Sequence, residues 1–222
     1  MKALFVNGSP RKGWNTHKML ASAMQGAQDA GAECELVHLY ELPAFKGCVS
    51  CFACKLKNAK THGLCAVRDS LTPVLEKALA SDVIVVGTPI YFSRATGVTY
   101  SFLERLMFPV LSYKGEGEAG ILGRTIHTAM IYTMGYPNEE GIKKFGYFEM
   151  FRENSRFMEQ LFGSCETLYA YNTYQFTDYS KYDVMEGIEA VKAKHRDKQF
   201  PEDLRKAYNL GKRLAEKAGG KE

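Results

Sequence analysis

An alternation constrains this chain more than any other feature. Short apolar runs, Lys2–Asn7, Glu33–Leu39, Asp82–Thr88, Thr125–Thr133 and Thr167–Asn172, are separated by stretches of helical spacing. Strands alternating with helices make βαβ units, whose strands pair in parallel. The run Val83-Ile84-Val85-Val86 has no polar face. Such a strand lies inside a sheet covered on both sides by helices. Between the first two strands Met19, Leu20, Ala23, Met24 and Ala27 recur at helical spacing, and Gly31 supplies a left-handed stop. This predicts a crossover helix of about four turns.

Two more helices are expected over Ser70–Ala80, with Ser70 as N-cap, and over Phe102–Leu111. The glycine-rich stretch Lys114–Gly123 reads as a surface loop. A tyrosine-rich stretch, Tyr169–Tyr182, precedes two charged helices, the last opened by Pro201 in its first turn. The 222 residues are expected to form one domain, with a cysteine-containing loop at 46–69 and a C-terminal helical extension at about 181–218.

Charge narrows the partners. With 29 basic against 25 acidic residues the net charge is +4, and the cations are scattered rather than gathered in a stripe. No nucleic-acid footprint is indicated. No apolar run approaches the roughly 20 residues that span a bilayer, and no signal-peptide pattern opens the chain, so a cytoplasmic protein without a membrane partner is expected.

Strand one runs into Asn7-Gly8-Ser9-Pro10-Arg11-Lys12-Gly13-Trp14-Asn15-Thr16, just before a helix. A helix N-terminus offers free amides and the positive end of a dipole. Ser9, Asn15 and Thr16 add donors, and Arg11 and Lys12 add charge. The loop suits a phosphate; the plainer reading makes Asn15 an N-cap and leaves the cations in solvent. Strand three ends in Gly87-Thr88-Pro89-Ile90-Tyr91-Phe92-Ser93, where Pro89 restrains a turn and Tyr91 and Phe92 offer walls for a flat ring. Phe102-Leu103-Glu104-Arg105 follows on a helix, with Glu104 and Arg105 expected as a surface ion pair or subunit contact.

These two loops resemble those of the NAD(P)H-dependent FMN reductase family: Gly-Ser-Pro-Arg then Asn-Thr, and Pro-x-Tyr-Phe then Phe-Leu-Glu-Arg. One departure is Tyr100, where that family commonly has lysine. The resemblance implies a flavodoxin-like, doubly wound five-stranded parallel sheet of order 2-1-3-4-5 with helices on both faces. It also implies FMN at the switch point, held by Ser9, Arg11, Lys12, Asn15 and Thr16 and by Pro89, Ile90, Tyr91, Phe92 and Ser93. A third loop, Thr133, Met134 and Gly135, would lie along the flavin ring. NAD(P)H would be the electron donor and a small molecule or protein the acceptor. No catalytic acid–base set is needed, because the flavin performs the chemistry. Self-association as a homodimer or homotetramer is expected, with Tyr171, Tyr174, Tyr179 and Tyr182 as the covering surface.

Cys48, Cys51 and Cys54, with Cys65 further on, resemble the cluster motif of iron–sulfur flavoproteins in the same superfamily. Placed after strand two, they would lie at the sheet's active edge. Three readings stand: a 4Fe-4S cluster, zinc held by four thiolates, or free thiols packing a loop. Cys34 and Cys165 read as small core residues, and His17 as an exposed side chain near the phosphate loop.

Overall fold

The computed structural model describes residues 1–58, 63–114 and 120–220. Part of the expected loop at Lys114–Gly123, residues 115–119, lies outside the described residues. The parallel strands are β1 (Lys2–Asn7), β2 (Glu33–His38), β3 (Val83–Tyr91), β5 (Ile126–Thr133) and β6 (Gly163–Ala170). They line up as β2-β1-β3-β5-β6, which is the expected 2-1-3-4-5 order once the short β4 (Arg94–Ala95), paired antiparallel to β3, is set aside. The order reverses between β1 and β3, the switch point of an open α/β sheet.

Strand periodicity sorts the core into two layers. Leu4, Val6, Ile84, Val86, Met130 and Tyr132 face the helices α2 (Thr72–Ala80), α3 (Gly97–Val110) and α5 (Tyr147–Phe162). Ala3, Phe5, Val83, Val85, Ala129 and Ile131 face α1 (Asn15–Asp29) and α7 (Phe200–Ala218). Alternate residues of one strand thus feed two cores, as a doubly covered sheet requires. Helices α1 and α7 meet through glycines. A Cβ at Gly211 would lie 1.8 Å from the Ala23 carbonyl oxygen, and one at Gly26 2.0 Å from that of Tyr208. No larger side chain fits at this separation.

Several elements depart from the sequence reading. Helix α2 starts at Thr72 rather than Ser70. Asp69 accepts from the Leu71 amide, while the Ser70 hydroxyl is drawn off to the Pro43 carbonyl. Helix α3 starts five residues early because Thr96 caps it, its hydroxyl accepting from the Thr99 amide. Strand β6 starts at Gly163, whose φ of +100° ends α5 and turns the chain directly into the sheet. Helix α5 and the short α4 (Glu139–Lys144) form the crossover between β5 and β6, with Phe151, Met158, Leu161 and Phe162 buried. Of the four tyrosines expected as a subunit cover, Tyr179 is buried and Tyr171 and Tyr174 are half-buried; only Tyr182 is exposed. No helix among the described residues is long and apolar enough to cross a membrane.

Candidate functional site

At the carboxyl ends of β1, β3 and β5 a crevice is lined by Ser9, Arg11, Trp14, Asn15, Thr16, Pro89, Ile90, Tyr91, Thr133, Met134, Gly135, Thr173 and Gln175. Ten residues expected to hold a cofactor therefore share one cavity. The first wall is the loop after β1. Asn7 fixes it by accepting from the Ser9 amide, and the Ser9 hydroxyl accepts from the Arg11 amide. Helix α1 begins after Trp14 with no side-chain cap. Its first-turn amides therefore keep their unsatisfied donors and dipole end. Asn15 is not the cap; its side-chain amide donates to the Tyr174 carbonyl at 2.8 Å.

Arg11 lies over Trp14, its guanidinium carbon 3.4 Å from the ring centre, and donates one N–H to the Gln175 carbonyl at 2.6 Å. A guanidinium carries five N–H groups, so this contact orients the fork without exhausting it. Thr16 and Thr133 share a hydroxyl hydrogen bond of 2.7 Å, joining the first wall to the third. Gly8 does not offer its amide to a ligand. The Gly87 carbonyl takes it, and a Cβ at Gly8 would meet the Thr99 hydroxyl oxygen at 1.9 Å. Gly13 donates to His17 Nδ1, and the His17 ring contacts His38 edge-on, so His17 braces the loop.

The second wall differs from expectation. Pro89 sits in β3, opposite Thr133 of β5, rather than in a turn. The turn is Phe92–Ser93, with φ of 47° and 65°, closing the β3–β4 hairpin. Two left-handed residues in a two-residue loop are the hairpin geometry that matches strand twist. Phe92 is fully exposed (102%) at its tip, so it and Ser93 stand outside the crevice, and of this loop's two aromatics Tyr91 is the one that lines it. Partial burial pushes the Tyr91 phenol upward. Lys12 also lies outside the crevice, paired with Glu41 in solvent. Trp14, Thr173 and Gln175 are crevice residues that the sequence reading did not reach.

The cysteine loop does not lie at the active edge. Cys48, Cys51, Cys54 and Cys65 line one small cavity against Glu104, Arg105, Phe108 and Pro109, in the second half of α3. At about 1.5 Å per residue, Phe108 is roughly 16 Å along the helix from its start beside the crevice. Arg105 is the reason for this placement, and it is no surface residue. Its side chain is 0% exposed; it pairs with Asp69 at 2.5 Å and donates to the carbonyls of Lys46 (3.1 Å) and Val67 (2.9 Å) and to Cys65 Sγ (3.4 Å). Glu104 accepts from the Cys48 amide at 2.9 Å, and Lys55 donates to the carbonyls of Pro109 and Leu111 at the end of α3. The two expected surface partners thus act separately, each on the loop.

Cys48 and Cys51 are exposed, and Cys54 is buried, which pushes its thiol upward. The enclosed space is about 20 Å³, and no group of three or more His, Cys, Asp or Glu side chains is drawn together for a metal among the described residues. The thiol set is chemically that of a cluster, but the loop would have to open to admit one. Cys34 in β2 and Cys165 in β6 are half-buried, each pushed up to about 11 by burial.

A crevice at the switch point with an uncapped helix on one side and an aromatic wall on the other is a common α/β anion site, so comparison with known proteins decides the family. Residues 1–126, more than half of the 222, match the NADPH-dependent FMN reductase family. The chain belongs to that family. An iron-sulfur flavoprotein of Archaeoglobus fulgidus is 37% identical over 107 residues, covering 47% of this chain and 48% of the relative. One from Methanosarcina thermophila is 32% identical over 105 residues, covering 47% and 52%. In these matches the chain spans about half the length of its curated relatives. Among solved structures, an NAD(P)H:quinone oxidoreductase from Methanothermobacter marburgensis superposes with a TM-score of 0.66 at 15% identity, covering 96% of this chain and 98% of its own. An azoreductase from Bacillus anthracis gives 0.67 at 16% identity, covering 96% and 99%. With a flavodoxin from the domain Archaea, which gives 0.51 at 15% identity and covers 99% of each chain, these likenesses establish a flavodoxin-like fold for this chain.

Proposed function

We propose that the protein is an FMN-dependent oxidoreductase that takes electrons from NAD(P)H and passes them to a second acceptor, a small molecule or a protein. One observation carries this reading. The uncapped start of α1, with Ser9, Thr16 and the Trp14-braced Arg11, faces Tyr91 and the Met134–Gly135 wall across a single crevice. A phosphate belongs on the first side and a flat ring on the second. Bound FMN supplies the redox chemistry. The chain's own part is to orient Arg11 through Trp14 and Gln175, to present first-turn amides, and to place Tyr91 as a wall.

The test begins with flavin released on denaturation. FMN is expected, and FAD alone, or no binding of added FMN at micromolar concentration, would defeat the reading. Arg11→Ala should weaken FMN tenfold to a hundredfold, since a charge-assisted hydrogen bond contributes about 1.5–3 kcal/mol. Steady-state oxidation of NADH and NADPH separates this enzyme from an electron carrier without a nicotinamide site.

For Cys48, Cys51, Cys54 and Cys65 we propose a 4Fe-4S cluster. All four line one cavity, and the curated relatives carry the name iron-sulfur flavoprotein. Anaerobic protein with about four irons per chain is the expected result. Stoichiometric zinc, or flavin absorption alone, would replace this reading with one of the other two. The apolar surface around this loop, with Phe52, Leu56, Tyr113 and Phe157 exposed, supports self-association, which light scattering would test.

A further inference from the structure

The helix α6 (Ile188–Lys198) buries a single side chain, and that side chain is a lysine. Lys192 is 4% exposed. Its ammonium donates to the Gly135 carbonyl at 3.1 Å, the Asn172 side-chain oxygen at 3.2 Å and the Thr173 carbonyl at 3.4 Å. All three acceptors are neutral, and Asp203, the buried acid on α7, bonds Gln199 and pairs with Lys206 instead. Taking an ammonium out of water without an anion is costly, and an apolar side chain of similar length would fill the same space without that cost. A use for the charge is therefore needed.

The position supplies one. Gly135 and Thr173 both line the crevice, and Thr173 is stitched to Met134 by its amide and its hydroxyl, each bonding the Met134 carbonyl. From the crevice side, Arg11 and Asn15 grip the same segment through the carbonyls of Gln175 and Tyr174. The strip from Asn172 to Gln175 is thus held between two cations, Arg11 in front and Lys192 behind. The rest of α6's hold on the strip is also polar: Tyr174 donates to Glu189 and lies under Arg196.

We propose that Lys192 is a positioning residue of the crevice, which fixes its third wall and sets an unneutralised positive charge behind it, favouring an anionic ligand and the reduced, anionic form of a flavin. This rests on the FMN reading above and assigns α6 a part in it. At an effective dielectric near 20, a unit charge several ångströms behind the wall is worth about tenfold or more in affinity for an anion. Lys192→Met, Lys192→Gln and Lys192→Arg distinguish the roles. Gln keeps N–H donors without charge, and Arg keeps the charge.

Two readouts apply to the full-length protein: the dissociation constant for FMN against that for riboflavin, and the midpoint potential of the bound flavin. The Met and Gln variants should bind FMN tenfold or more weakly and shift the potential to more negative values, while Arg should stay near the wild type in both. A structural role alone would lower melting temperature without moving the potential. If wild-type protein fails to bind FMN, the functional reading falls, whatever the variants do. If it binds FMN, and folded Met or Gln variants keep both the affinity and the potential, the Lys192 inference is overturned. Failure of all three variants to fold would also overturn it, by showing a purely structural residue.

Discussion

Replacing Arg105 with methionine should destabilise the protein by about 3 kcal/mol, the low end of the cost of breaking a buried ion pair. The structure sets the scale. The arginine side chain is 0% exposed and Asp69 20%, so removal of the cation leaves a carboxylate that water reaches only in part. The carbonyls of Lys46 and Val67 lose a donor at the same time. At 2–4 °C per kcal/mol for a domain of this size, the melting temperature should fall by about 6–12 °C. Asp69→Asn alone should cost less, and the double variant should be no worse than Arg105→Met, giving a coupling of about 2 kcal/mol. The pH dependence adds an independent check. Burial pushes the Asp69 carboxyl up, but the Arg105 hydrogen bond, the Leu71 amide and the arginine's charge together bring it below its ordinary value. Its stabilising contribution is thus present above the usual carboxylate range and lost as pH falls below about 4, and that acid-side loss should shrink in Arg105→Met. Thermal unfolding followed by circular dichroism measures both. A change under about 0.5 kcal/mol, or additive single effects, would refute the reasoning.

Gly211→Ala should destabilise by about 2 kcal/mol, because the clash with the Ala23 carbonyl outweighs a helix-propensity gain of ~1 kcal/mol. Gly97→Ala, with open space around it, is the control and should be neutral or stabilising in the same melting assay. Burial depresses His38, with Glu41 opposing and His17 and Lys12 assisting, while Asn7 donates to its Nδ1 at 2.9 Å. The unfolded chain therefore takes the proton first, and stability should decline as pH falls through about 6.5, a decline that His38→Gln removes in urea titrations. At pH 8 the metal-free protein's exposed Cys48 and Cys51 should react with a thiol reagent first. Cys34 and Cys165, held near 11, should react roughly a hundredfold more slowly, as peptide mapping would report.

The sheet was legible because its information is local. Val83 to Val86 has no polar face, and Lys2–Asn7 is bounded by a charge and a glycine turn, so strand type could be read residue by residue, while the ends of β3 and β6, set by pairing with distant strands, could not. The crevice was legible on its first and third walls, where strand ends and a helix start fix the side chains. It failed where partners lie far away in sequence. Nothing near Arg105 announces Asp69, which sits 36 positions earlier, and nothing near Arg11 announces the Gln175 carbonyl, 164 positions later. Phe92 was misplaced for a different reason. A phenylalanine in a left-handed turn defies the usual turn residues, and aromatic character alone suggested a wall. Signals did exist for α5, whose buried residues keep one helical face, and for Trp14, an aromatic three residues after an arginine.

The close crossing of α1 and α7 bears on how the protein comes to life during translation. Met19, Leu20 and Ala23 of α1 share one core with Ala207, Leu210 and Leu214 of α7, yet these segments, Asn15–Asp29 and Phe200–Ala218, are among the most distant in the sequence. At about 5–20 residues per second, the partner of α1 is synthesised on the order of ten to forty seconds after α1 itself. For that interval the helix that opens the crevice has a bare apolar face, and the nascent chain is exposed to chaperones and to aggregation. Occupancy of the crevice should therefore appear only when α7 has docked.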